Sequence, residues 1–346
     1  MTLTFSWRRW SALVGVAALV TACSGTGGGS GPSVATSLRL GYFANVTHAG
    51  PVYGVAQGTY QRALGGTRLR AQTFPAGPAA IEALFAGAID AAYVGPGPAV
   101  NAFLKSKGGV VIVAGATSGG ASLVVRAGVT ADRLKGTTLA DPQVGGTQDI
   151  ALRTYLAGKG LKVDKQGAGD VTVQSEDNAQ TLDLFRSGAI DGAWVPEPWA
   201  SRLVIEGGGT TLVDEASLWP GGRFVTTNLL VHKEYLTQHP MAVKALIEGQ
   251  VEADKQITAD PGKAQQVVNA ALKSLTGKSL KPSVIAQAFG HIQVTEDPLA
   301  STLSVEADHA FATGLLKRGD LKGIYDLTLL REVLGTAVDD AGLGRG

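Results

Sequence analysis

The feature that most constrains this chain is a block that occurs twice. Gly87-Ala88-Ile89-Asp90-Ala91-Ala92-Tyr93-Val94-Gly95-Pro96 returns as Gly188-Ala189-Ile190-Asp191-Gly192-Ala193-Trp194-Val195-Pro196-Glu197, at an offset of 101 residues. Each copy follows an amphipathic run, residues 79–86 and 179–187, and the same offset sets Gly77 opposite Asn178, each just ahead of its helical pattern. The unit reads as strand, capped helix, glycine stop, buried strand and irregular Pro/Gly loop. Two copies at this spacing do not make a solenoid; they predict two similar α/β lobes. Ligands of open α/β sheets bind beyond the carboxyl ends of the strands. Gly95-Pro96-Gly97-Pro98 and Pro196-Glu197-Pro198-Trp199 follow the predicted strands 89–94 and 190–195, so they predict a cleft between the lobes.

The N-terminus carries a positive segment, Trp7-Arg8-Arg9-Trp10, then an apolar stretch over residues 12–20 that is too short to span a bilayer. Val20-Thr21-Ala22-Cys23 looks like a bacterial lipobox, in which Cys23 is lipidated and becomes the first residue of the mature chain. Cys23 is the only cysteine of the 346 residues, so the body has no disulfide, cysteine-ligated zinc or cysteine nucleophile. The expected division is a signal peptide over 1–22, a flexible Gly/Ser-rich tether over 23–37, lobe one from 38–118 and 228–346, and lobe two from 119–227. A formal net charge of +1 with 17% charged residues supplies no basic field for nucleic acid or an anionic membrane. The one membrane contact implied is the lipid.

Along the body, residues 38–43 read as a strand, 51–64 as one helix stopped by Gly65-Gly66, and 69–74 as a second strand. The β-branched run 110–114 reads as a strand buried on both faces, and Thr117-Ser118-Gly119-Gly120 after it as a crossing between lobes. Lobe two holds the segment 134–140, a helix over 147–157 and a strand over 171–174; residues 224–231 return to lobe one. From His232 onward the pattern is all helical, with Pro240, Pro261, Pro282 and Pro298 where a helix takes proline at its first position. These helices are expected to cover lobe one.

Helix starts dominate the predicted cleft. Ala76 or Gly77 caps the helix that begins at Pro78, and Gly146 or Thr147 caps the helix through Arg153. Each exposes unpaired backbone N–H groups and a positive dipole end, a favourable place for an anion. No lysine follows Gly145-Gly146-Thr147, which excludes a Walker-type phosphate loop. Asn45 and His48 follow the first strand, Gly95 ends the repeated strand, and Thr117 and Ser118 offer hydroxyls at the crossing. Gln174 and Ser175 close a lobe-two strand, while Asn178 reads as a cap. Trp199 is the cleft-side aromatic and Trp194, inside the apolar strand, the core one. Asp90 and Asp191 begin their strands, a strand length from the cleft, and read as turn or cap residues.

Leu40-Gly41-Tyr42-Phe43, the Phe85 to Asp90 block, Leu134-Lys135-Gly136, Gly188-Ala189-Ile190-Asp191 and above all Glu197-Pro198-Trp199-Ala200 resemble the substrate-binding lipoproteins of ABC importers for aliphatic sulfonates, taurine and nitrate. The resemblance covers residues 38 to about 334. It implies an α/β, two-lobed type II periplasmic-binding-protein fold with two crossover segments and a C-terminal helical extension packed on lobe one. It also implies a monomer without enzymatic chemistry or cofactor, lipid-anchored outside the cell membrane, that hands a small organic anion to a permease and its ATPase. Glu197 beside an anion needs something positive between them: Arg202, the amine of a zwitterion such as taurine, or the hydroxyl or ring nitrogen of a neutral heterocycle. Thiamine-pyrimidine synthases resemble the same fold but use a Cys-rich iron motif absent here. A binder of a thiamine-pyrimidine precursor, or a sensor without transport, is the alternative.

Overall fold

The computed structural model describes residues 34–335 together with Thr2 and Val338; Cys23 and the rest of the lipobox lie outside the described residues. The chain builds two sheets in succession and then returns to the first. Lobe one opens with β1 (Ser37–Phe43), α1 (Ala49–Gln57), α2 (Thr59–Leu64), β2 (Arg68–Phe74), α3 (Gly77–Phe85), β3 (Ala91–Val94), α4 (Pro96–Lys105) and β4 (Val110–Gly119). Lobe two follows with β5 (Ala121–Val125), β6 (Thr138–Asp141), α5 (Thr147–Gly158), β7 (Thr172–Ser175), α6 (Asn178–Ser187), β8 (Gly192–Pro196), α7 (Trp199–Ile205) and β9 (Thr210–Asp214). Two short 3-10 turns lead to β10 (Val225–His232), which re-enters the first sheet. After it come α8 (Lys233–Gln238), α9 (Pro240–Ala259), α10 (Pro261–Thr276), α11 (Pro282–Gly290), β11 (Ile292–Val294), α12 (Ala300–Ala312) and α13 (Thr328–Leu334).

The first sheet runs β11-β4-β10-β3-β1-β2 and the second β7-β6-β8-β5-β9. β2, β1 and β3 are parallel, as are β7, β6 and β8; β10 and β5 enter antiparallel beside β3 and β8. Thus the repeat is real in three dimensions: α3 with β3 and α6 with β8 occupy equivalent places, each beside a strand of reversed direction. Both crossings leave from one spot, because β4 and β10 pair with Ser118 opposite Val225. Gly119 and Gly120 carry φ of 78° and 82° there, a left-handed backbone that glycine adopts without a Cβ penalty. One large core joins the first sheet to α9, α10, α12 and α13, which places the C-terminal helices on lobe one. Two smaller cores cover the two faces of the second sheet, one around Trp194 and one around Phe185.

Four local readings differ from expectation. The helix over 51–64 is two, because Gly58 turns left-handed at φ 72° and its N–H closes on Gly54 O and Val55 O. The Gly95–Pro98 run is not a loop; it opens α4, with Pro96 at the first helical position where a missing N–H costs nothing. In the second copy Pro196 stays extended, the Glu197–Pro198 peptide is cis, and α7 begins only at Trp199. β11 interrupts the all-helical C-terminus by pairing with the edge of β4. The end of the tether is also held: Thr67 Oγ1 donates to Ala35 O at 2.8 Å, and β1 already begins at Ser37. Asp90 accepts from Arg39 N and Asp191 from Thr138 N, each at 2.8 Å, so both secure strand starts as expected.

Candidate functional site

The carboxyl ends of the two sheets meet. Val46 N and Thr47 N of lobe one donate to Glu197 O of lobe two at 3.1 and 3.3 Å, and Trp199 Nε1 donates to Asn45 Oδ1 at 3.0 Å. Between the lobes lies a cavity of about 40 Å³. Lobe one lines it with Asn45 and His48 from the turn after β1, with Ala76 and Gly77 at the start of α3, and with Gly95 before α4; lobe two lines it with Gly146 and Thr147 at the start of α5. Ala76 and Gly146 are the N-caps, which settles both capping alternatives.

The cavity has no charged side chain on its wall. Burial pushes the His48 imidazole down to about 3, so the ring is neutral at any ordinary pH. Its Nδ1 lies 3.3 Å from Thr47 Oγ1, and its Nε2 is enclosed without a hydrogen-bond partner. Gln143 Oε1 and Asn178 Oδ1, also on the wall, are likewise enclosed and unpartnered. Positive potential comes from backbone: the starts of α3, α5 and α6 reach the wall, and a helix start leaves its first N–H groups unpaired. At α4 the prolines 96 and 98 remove two such donors, leaving Gly97 N–H. The α5 start is braced from behind, since Asp149 accepts from Gly145 N at 2.8 Å and forms an ion pair with Arg153. Deeper still, burial and the neighbouring Asp149 raise Asp141 to about 8, and its Oδ1 accepts from Ser175 Oγ at 2.7 Å.

Six expected residues, Ser175 among them, do not line the cavity. Thr117 spends its hydroxyl on Thr47 O at 2.7 Å, and Ser118 Oγ accepts from Phe224 N at 3.3 Å. Gln174 stands on β7 away from the wall. The Glu197 carboxylate is fully buried in lobe two, where it accepts from Ser201 N and Oγ at 3.1 and 2.9 Å and meets His291 Nδ1 at 2.6 Å. None of the three partners considered for Glu197 is the one it has; Arg202 instead pairs with Glu206 at 3.1 Å. Trp199 lies behind Asn45 with the Arg202 guanidinium 4.6 Å above its ring. Trp194 is the core residue expected, its Nε1 donating to Glu215 at 2.7 Å.

In their place stand Thr226, Thr227, Gln143, Gln148 and Asn178. Asn178 is the first residue of α6, with Asp177 before it at the cap, so it is a wall residue rather than the cap. Thr226 and Thr227 start β10, whose pairing of Asn228 with Val94 sets them level with Gly95. Two threonines just ahead of an apolar return strand were the readable signal, since that strand must enter from the cleft edge; their hydroxyls donate to Gly119 O and Thr47 O, so toward the cavity they can only accept.

This architecture is similar to solved periplasmic binding proteins. The nitrate-binding protein NrtA of Synechocystis superimposes with a TM-score of 0.74 at 18% identity, covering 87% of this chain and 89% of its own. The alkanesulfonate-binding protein SsuA of Xanthomonas axonopodis gives 0.67 at 23%, covering 82% and 95%; both likenesses speak to fold. In sequence, a binding protein of Brucella abortus is 29% identical over 206 residues, 58% of this chain and 61% of that one. The bicarbonate-binding protein CmpA of Synechococcus is 27% identical over 154 residues, 43% of this chain and 32% of its own. Residues 31–272, well over half of the chain, match the NMT1-like family, and the protein belongs to that family.

Proposed function

We propose that this protein is the extracytoplasmic solute-binding component of an ABC importer and closes its lobes over a small oxyanion for delivery to a permease and its ATPase. The observation that carries this reading is the uncharged cavity with helix starts from both lobes on its wall. N–H groups and dipole ends compensate an anion's charge without a formal cation. On a measure where one water needs roughly 10–15 Å³, a cavity of about 40 Å³ has room for a nitrate, a bicarbonate or a sulfonate head. The names of NrtA, SsuA and CmpA span the same three anion types.

The test is a thermal-shift series on the body from residue 34 with nitrate, bicarbonate, methanesulfonate, taurine and a pyrimidine. An anion at 100 times its dissociation constant adds about 2.7 kcal/mol, a rise of several degrees. A shift with the pyrimidine alone would sink the anion reading and keep the binding fold. Membrane attachment through Cys23 is part of the same proposal: Cys23→Ala is expected to move the protein from the membrane fraction to the soluble one, and unchanged retention would refute it.

A further inference from the structure

We infer that Trp199 is a positioning residue: its indole N–H fixes the Asn45 amide so that the NH2 group faces the bound anion, and it does so only when the lobes are closed. The inference rests on the anion-site reading above and adds a residue that never touches solute. An indole nitrogen donates and cannot accept. The atom of Asn45 that lies 3.0 Å from Trp199 Nε1 must therefore be Oδ1, which removes the usual ambiguity between the two ends of an amide. Nδ2 then points the other way. It makes no hydrogen bond to any described residue, and it is not among the enclosed polar atoms that lack a partner; Asn45 lines the cavity, and we assign Nδ2 to that open side.

The consequence is directional. With the indole bond in place Asn45 offers two N–H donors to the cavity; with the amide reversed it would offer a carbonyl oxygen, which repels an anion. Trp199 belongs to the second-sheet lobe and Asn45 to the first, so opening the lobes breaks the bond and releases the amide. Arg202 stacks over the indole and is itself held by Glu206, so the donor is fixed from behind. Closure thus completes the donor set instead of merely covering it, which couples affinity to the closed state.

Trp199→Phe keeps an aromatic ring for Arg202 to cover and removes the N–H together with the pyrrole ring that carries it. Nitrate, bicarbonate and methanesulfonate are titrated calorimetrically into wild type, Trp199→Phe, Asn45→Ala and the double variant, with the melting temperature of each apo protein as a check on folding. The expected result is a loss of at least tenfold in affinity for each single variant and a double variant no weaker than Asn45→Ala. A purely structural tryptophan would give additive losses, and that result, or Trp199→Phe within twofold of wild type, overturns the inference while the anion reading stands. If wild type binds none of the three, both fall. Should either variant fail to fold, the wild-type indole resonance of Trp199 serves: its exchange with solvent is expected to slow at least tenfold on saturation with the tightest of these anions, and an unchanged rate counts against the inference.

Discussion

Replacing Gly95 with alanine is expected to weaken solute binding by ten- to a hundredfold while leaving the apo protein nearly as stable as wild type. Gly95 sits at φ −73° and ψ 166°, a backbone that alanine adopts freely, so no local strain enters. The added Cβ would overlap Thr147 Oγ1 of the other lobe and lie 3.3 Å from Thr226 O. Overpacking of this kind costs about 1–3 kcal/mol, and a molecule with two lobes avoids it by opening. The overlap with Thr147 therefore burdens the closed, liganded form, while the milder contact with Thr226 O, in the same lobe as Gly95, remains in both forms; about 1.4 kcal/mol is tenfold in affinity. Gly97 supplies an internal control: its Cβ would stand 2.5 Å from Ile150 Cδ1, the end of a side chain that can rotate away, so Gly97→Ala is expected to cost less. Calorimetric titration together with small-angle scattering checks both. Wild-type affinity in Gly95→Ala would mean that Gly95 and Thr147 do not meet in the liganded state.

How far the cavity could be read in advance follows from what each residue's position depends on. Ala76, Gly77, Gly146 and Thr147 were legible because a helix start at the carboxyl end of a strand is fixed by local pattern and fold topology together. Asn45 and His48 were legible for the same reason, since a turn after the first strand must face the cleft. Glu197 and Trp199 were not. Both follow the repeated strand at the correct depth, but the second copy departs from the first at Glu197–Pro198, where α7 starts two residues later than the α4 register would give. That delay turns Glu197 toward Ser201 and His291, and His291 arrives from a segment 94 residues away. No spacing rule announces such a partner. Thr117 was misplaced by its own backbone neighbour: the carbonyl of Thr47 accepts its hydroxyl and that of Thr227 at 2.7 and 3.1 Å. The Gly95–Pro98 run was misread because proline at a helix start and proline in a loop look alike until a hydrophobic period follows.

A second large effect is expected from pH. Glu215 is 3% exposed and accepts from Trp194 Nε1 at 2.7 Å, and burial raises its carboxyl from 4.5 to about 7. It belongs to the turn after β9 in lobe two. Across the seam, Glu306 of α12 is buried as well, with Oε1 unpartnered, and burial followed by the charge of Glu215 raises it well above the carboxylate range. α12 packs on both α4 and α5, so it lies where the lobes meet. A carboxyl whose folded pKa exceeds its unfolded one stabilises the fold fully below the unfolded value, and that stability is lost as pH rises through the folded value. For Glu215 the window runs from 4.5 to about 7, and the loss is about 3 kcal/mol at 1.36 kcal/mol per unit. Glu215→Gln keeps an oxygen for Trp194 and has no proton to lose. Asp141, Asp254 and Glu306 are raised too, so both proteins weaken toward alkaline pH, and the difference between them reports Glu215 together with its charge coupling to Glu306. Urea midpoints at pH 4.5, 6 and 8 are expected to show the variant gaining on wild type through this window by about 3 kcal/mol in all. Parallel curves would place the Glu215 proton on the same footing in folded and unfolded chains, and the buried seam of carboxyls would then be open to water.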